Sequence, residues 1–173
     1  RLTRVHAEQK AKGRFYALWA DLDKVEGLSF EDVFSRSGGV IVADFLLYTT
    51  KSATKDNPKS RIIIPLLHPV SGEMFVILQT ILNNRLEAAG ITPDIVNDRA
   101  GQVCYLPNKG EFYQSFHTDF SGPFDPEEWG EDIARIEDQQ EAEKEDRAAR
   151  QAESRIKAAA MVAAGTHSPI QAY

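Results

Sequence analysis

An α+β domain with a four-stranded antiparallel sheet, two helices on one face and a long charged helix after it is the architecture this sequence predicts. Three observations carry that expectation. Runs of apolar, β-branched and aromatic residues recur at 15–23, 40–50, 61–66 and 102–106. Two stretches of helical periodicity separate the first run from the second and the third from the fourth. From 125 onward the composition changes to Ala, Glu, Gln, Lys and Arg.

The first 13 residues are polar and basic, a short helix or a frayed arm. Residues Phe15 to Ala20 are apolar and lead into Asp21, Leu22 and Asp23. In a strand, side chains alternate between faces, so both carboxylates point the same way, roughly 6 to 7 Å apart. That spacing suits a pair of hard divalent cations, although an isolated acid-spacer-acid also occurs where a strand runs into a solvated turn. Ser29, with Asp32 three residues on, forms a near capping box for a helix whose face carries Phe30, Val33 and Phe34 and which ends near Gly38. Residues 40–50 read as the second strand, interrupted by Asp44. Residues 51–59, with Asn57-Pro58 and a high share of Lys and Asp, read as a loop. The third strand spans 61–66, closed by Pro65. Ser71 caps a second helix with Phe75, Leu78, Leu82 and Leu86 on one face, stopped by Gly90. A fourth strand is expected at 102–106. This β-α-β-β-α-β order is the split βαβ arrangement of ferredoxin-like and RRM-like domains, which leaves the sheet face away from the helices free to bind something.

Two segments follow from composition, a body at 1–124 and an acidic helical linker or tail at 125–173. Pro126 suits the first helical position after an Asp125 cap. The tail holds 12 acidic and 6 basic residues, against 14 of each in the body, so it carries the whole net charge of −6. A neutral body excludes a nonspecific polycationic coat but not a local basic patch for a polyanion. The stretch beyond Gly165 reads as disordered. One cysteine, Cys104, rules out an intrachain disulfide and makes a reducing, cytoplasmic setting the default. Neither a membrane span nor a signal peptide is readable, and the missing initiator Met suggests a piece of something longer.

Taken in order, Asp21-Leu22-Asp23, then Tyr48 to Thr54, Arg61-Ile62-Ile63-Ile64-Pro65-Leu66, and Asp98-Arg99-Ala100-Gly101-Gln102 running into Tyr105-Leu106-Pro107 resemble the primase-polymerase domain of the archaeo-eukaryotic primase superfamily. The subgroup it is most similar to is the one found in phage- and plasmid-encoded replication proteins, where such a domain precedes a helicase. The likeness covers about residues 14 to 113 and implies a metal-dependent nucleotidyltransferase that makes or extends primers on single-stranded DNA from nucleoside triphosphates. Asp21 and Asp23 match the first motif, and Asp98, or alternatively Asp94, stands for the third; together they would hold Mg²⁺ or Mn²⁺. Lys51, Ser52, Lys55 and Arg61 would bind the nucleotide. At the second motif the chain reads Ser52-Ala53, without the histidine such proteins normally place there, and His68 and His117 fall elsewhere. The resemblance therefore leaves an alternative: a catalytically degenerate primase-like module that binds single-stranded DNA, an origin or a replication partner. Tyr16, Trp19, Tyr48 and Tyr105 are strand aromatics that could stack on bases or simply pack. An RRM-like RNA reader is disfavoured, because its basic-aromatic strand signature is missing.

Overall fold

The computed structural model of the chain describes residues 4–163. These fall into two units that divide between Ile133 and Ala134. The first contains α1 (His6–Lys12), β1 (Arg14–Leu22), α2 (Phe30–Gly38), β2 (Leu46–Thr49), β3 (Ser60–Ser71), α3 (Gly72–Ala88), β4 (Ser115–His117) and the start of α4 (Gly130–Ala163). The sheet is antiparallel throughout, in the order β1-β3-β2-β4. With β3 between β1 and β2, the expected split βαβ core and the α+β class are present.

Alternation builds the two faces. Leu18, Ala20 and Leu22 of β1, Leu47 of β2 and Ile62 and Ile64 of β3 are fully buried on one of them. Phe30 of α2 stacks on Phe116 of β4, Phe34 lies tilted against the same ring, and Leu78, Leu82 and Leu86 of α3 complete the core. Burying a side chain of this size contributes roughly 1.5–3 kcal/mol, so these layers dominate stability. Both helices start where their caps dictate. Ser29 and Asp32 form a reciprocal capping box, Ser71 accepts from the Met74 amide, and Gly90 takes φ 75° just beyond α3.

The free edge of β1 is sealed by side chains. Gln79, fully buried on α3, accepts from the Trp19 amide at 3.1 Å and donates to the Trp19 carbonyl at 2.8 Å and to the Asn97 carbonyl at 2.9 Å. Asn97 also donates to the Trp19 carbonyl, and its side chain exchanges hydrogen bonds with Asn83. One residue pair along, the Asp94 amide donates to the Asp21 carbonyl at 2.8 Å. The segment that follows α3, ending in a short 3-10 turn (Ile95–Asp98), therefore lies where a further strand would pair.

This explains the one misplaced strand. Residues 102–106 form no strand; the fourth is Ser115–His117, paired with β2 at the opposite edge. An apolar run with β-branched and aromatic residues signalled a strand, but the ladder beside β1 was already taken by amide side chains. The run crosses the open face of the sheet instead. Two boundaries also differ. The second strand starts at Leu46 rather than near Val40, because the Asp44 carboxylate gathers the amides of Phe120, Ser121 and Gly122 and turns the chain. The third continues past Pro65, whose register partner Ala17 lies beside an irregularity in β1 that accommodates the absent N–H.

Asp44 makes the fold acid-sensitive in a defined way. The amide of Phe120 lowers its pKa first; burial works against this, and the amides of Ser121 and Gly122 and the Thr118 hydroxyl add to the lowering. A depressed folded-state pKa stabilises the protein above the ordinary carboxylate value and loses that contribution as pH falls through the lower folded value, here below about pH 4. Asp44→Asn should therefore flatten the low-pH limb of a stability-versus-pH curve from urea unfolding, and an unchanged slope would remove Asp44 as a contributor.

Trp129, in the 3-10 turn Pro126–Trp129, belongs to the first unit, where its ring tilts against Phe124 with the Arg85 guanidinium 4.9 Å away. Arg85 in turn binds Asp132 at 2.6 Å. The second unit is the continuation of α4, an exposed helix with ion pairs Lys144–Glu141, Arg150–Asp146 and Lys157–Glu153. These pairs support a helix that has few apolar residues to bury. The expectation of disorder beyond Gly165 falls outside the described residues. Among those described, no helix is long and apolar enough to cross a membrane.

Candidate functional site

Sheet register places the site. Asp21 of β1 is the cross-strand partner of Arg61, Arg61 of Tyr48, and Tyr48 of Ser115, so the four form one row on the face away from α2 and α3. Arg61 alternates with the core residue Ile62, which sends its side chain to this open face. There its Nε donates to Asp21 Oδ1 at 2.7 Å and its Nη2 to Asp21 Oδ2 at 2.6 Å, a two-pronged pair with side chains 11% and 21% exposed. The guanidinium also lies 5.6 Å from the Trp19 ring centroid. Burial opposes the charge on Arg61, but the hydrogen bonds and negative charge of Asp21, aided by Tyr48, more than offset it and raise the pKa.

Residues 102–110 pass over this row as a strap. Its anchor is the Tyr105 carbonyl, which accepts from Arg61 Nη1 and, at 2.7 Å, from the Tyr48 hydroxyl. Burial raises the Tyr48 pKa, with Arg61 pulling the other way, so the phenol remains a donor. Cys104 is half-buried beside the same groups; burial pushes its thiol up, Arg61 lowers it and Asp21 raises it further. Farther along, Gly110 lies flush on the Lys51 carbonyl, where a Cβ would overlap the backbone.

Between strap and sheet is a pocket of about 450 Å³, walled by Tyr48, Thr50, Lys51, Ser52, Arg61, Tyr105, Leu106 and Asn108. Its volume is in the range of small-ligand sites. Two cations, four hydroxyl side chains and an amide line it, together with Leu106. Tyr105 is 61% exposed although its carbonyl is held by Arg61 and Tyr48, so its ring is open to solvent beside the pocket. The buried Thr50 hydroxyl has no hydrogen-bond partner among the described residues. Gly110→Ala should push the strap from the Lys51 backbone and weaken any ligand of this pocket about tenfold with a smaller loss of stability, checked by titration and urea unfolding side by side; unaltered affinity would show that the strap's position does not matter.

The structure brings together part of the expected set. Lys51, Ser52 and Arg61 share the pocket, with Asp21 behind Arg61. Lys55 is exposed in the adjoining loop and does not line it. Asp23, 3.6 Å from Lys59, lines a second pocket of about 340 Å³ with Lys24, Thr92, Pro93, Asp94 and Ile95. Asp94, rather than Asp98, is the acid next to β1; its side chain caps the Val96 amide. Asp98 is half-buried at the end of the 3-10 turn and lines neither pocket. His68 and His117 are exposed and line neither pocket. Of the aromatics, Trp19 and Tyr48 are buried, while Tyr16 and Tyr105 are open to solvent.

A preformed divalent-cation centre does not fit this arrangement. Both Asp21 oxygens are engaged by Arg61, and among the described residues no three His, Cys, Asp or Glu side chains are grouped so as to hold a metal ion. Tyr105 was expected as a ring that could stack on bases, but on a strand; Leu106 and Asn108 were missed as pocket wall. Also missed were Gln79 and Asn97, for which a signal existed: an amide inside the apolar stripe of a helix needs a buried partner. No protein-family model matches the chain, and neither a curated protein nor a solved structure matches it.

Proposed function

We propose that the chain is a nucleic-acid-binding module of primase-polymerase type that holds a phosphate-bearing ligand, a single-stranded DNA segment or a nucleoside triphosphate, in the pocket between the sheet and the strap. One observation carries the reading: Lys51 and Arg61 line the same pocket as the exposed ring of Tyr105. Cation plus stacking surface is the combination single-strand binders use, since every nucleotide offers a phosphate and a π-face. The sequence resemblance supplies the setting, a phage- or plasmid-type replication protein acting in the cytoplasm beside a helicase or another replication partner.

A second reading is template-directed nucleotidyl transfer with Mg²⁺ or Mn²⁺. It rests on the match of Asp21 and Asp23 to the first motif of the resemblance, and it requires Arg61 to release Asp21 before a cation can bind there. One variant separates the two. Asp21→Asn removes the charge that neutralises Arg61, so the binding module should hold a labelled single-stranded oligonucleotide as tightly as the native protein or more tightly. A nucleotidyltransferase should lose product formation in the same variant.

The tests are fluorescence polarisation with that oligonucleotide and primer synthesis on an unlabelled template with labelled nucleotides and either metal. For two phosphate contacts, affinity should fall about sevenfold between 50 and 200 mM salt. Native binding that is absent at low salt would refute the proposal. Metal-dependent product from the native protein, lost in Asp21→Asn, would replace it with the catalytic reading.

A further inference from the structure

We infer that Asp21 is a specificity-determining residue, which keeps the charge of the pocket low enough that it takes the singly charged phosphodiester of a nucleic-acid strand rather than a nucleoside triphosphate. The inference rests on the proposed binding function and deepens it by naming which of the two phosphate-bearing ligands the site selects.

The two cations of the pocket differ in what they leave over for a ligand. Lys51 and Arg61 both line it, and no acidic side chain lines it with them. Among the described residues Lys51 has no ion-pair partner, so its charge is available in full. Arg61 is held by Asp21 through Nε at 2.7 Å and Nη2 at 2.6 Å, which offsets most of the charge it presents. Its capacity to donate survives. The bonds to Asp21 and to the Tyr105 carbonyl use three of the five guanidinium N–H groups, so Arg61 can give a hydrogen bond to a phosphate without releasing either partner. The site therefore offers one uncompensated positive charge, a neutralised donor and the hydroxyls of Thr50 and Ser52. A diester matches that supply, its single charge on Lys51 and its hydrogen bonds from the rest. A triphosphate brings several charges more. No third cation lines the pocket to meet them, and the Asp21 carboxylate repels them across the guanidinium, which is the unfavourable element that selectivity between two related ligands needs.

The test sets thymidine 5′-(methyl phosphate), a diester with one base, against dTTP, which carries the same base and the extra phosphates. Both compete for the whole chain with a labelled single-stranded oligonucleotide, with and without Mg²⁺. The native protein should bind the diester about three- to tenfold more tightly than dTTP in either condition. Asp21→Asn keeps an oxygen that accepts from Arg61 and removes the charge. Because Coulomb interaction scales with ligand charge, the variant should gain more for dTTP than for the diester, cutting the native ratio by about threefold or more. Asp21→Glu restores the charge and should return the ratio toward the native one. A structural role alone would weaken both ligands alike and leave the ratio unchanged, which overturns the inference. So does a native protein that prefers dTTP in either condition, or a diester that does not displace the oligonucleotide. Should Asp21→Asn not fold, the native ratio decides alone. If the native protein binds neither the oligonucleotide nor the competitors, the proposed function falls together with this inference, whereas the other failures leave that function standing.

Discussion

Arg61→Ala is expected to lower affinity for single-stranded DNA or a nucleoside triphosphate by about 10- to 100-fold, the range for losing charge-assisted hydrogen bonds to a phosphate. It should also cost about 2–3 kcal/mol of stability. The second effect arises because the Asp21 carboxylate, one-fifth exposed, would lose both hydrogen bonds that Arg61 gives it. Arg61→Lys separates the two losses. A lysine ammonium restores a positive charge near Asp21 but cannot fork onto a carboxylate while reaching the Tyr105 carbonyl. It should recover part of the stability and little of the affinity. Titration with a labelled oligonucleotide and urea unfolding of the three proteins measure both. Native affinity in Arg61→Ala would mean that the ligand, if any, sits elsewhere.

Gln79→Leu should be the most destabilising single substitution away from that row, by about 3 kcal/mol. The leucine is close in volume, so packing changes little. What it removes is the acceptor for the Trp19 amide and the donors for the Trp19 and Asn97 carbonyls, three buried main-chain groups. Each buried polar group left without a partner costs on the order of 1–3 kcal/mol, and some will be recovered by Asn97, which still donates to the Trp19 carbonyl. Because the same bonds fix the end of β1, the Asp21–Arg61 row should loosen as well. An unfolding free energy lowered by less than about 1 kcal/mol in urea titration would show that the sealed edge is not a major support.

How much of this could be read in the sequence follows from which interactions are local. Helix caps at Ser29 and Ser71 and the faces of α2 and α3 depend on neighbours three or four residues away, and they were legible. The grouping of Lys51, Ser52, Lys55 and Arg61 came with the resemblance, and three of the four line one pocket. The strap was not legible. Residues 103–106 carry a strand's residue types, and only the tertiary contest for the β1 edge, won by Gln79 and Asn97, decides that they cross the sheet instead. The acids were half legible: Asp21 and Asp23 lie at the end of β1 as their strand implies, but their partners come from 40 residues away in one case and from a loop lysine in the other. An arginine opposite an aspartate in sheet register cannot be seen without knowing which strands pair. The preference for Asp98 over Asp94 came with the resemblance, which sets the third acid near a last strand expected at 102–106, where none forms.

The most direct test of the Lys51–Arg61 pocket is lysine acylation followed by mass spectrometry, with and without saturating single-stranded oligonucleotide at low salt. The account predicts strong protection of Lys51, weaker protection of Lys55 and Lys59 in the adjoining loop, and none at Lys144 or Lys157 on α4. A Lys51 that is acylated at the same rate in the bound and free protein would contradict it.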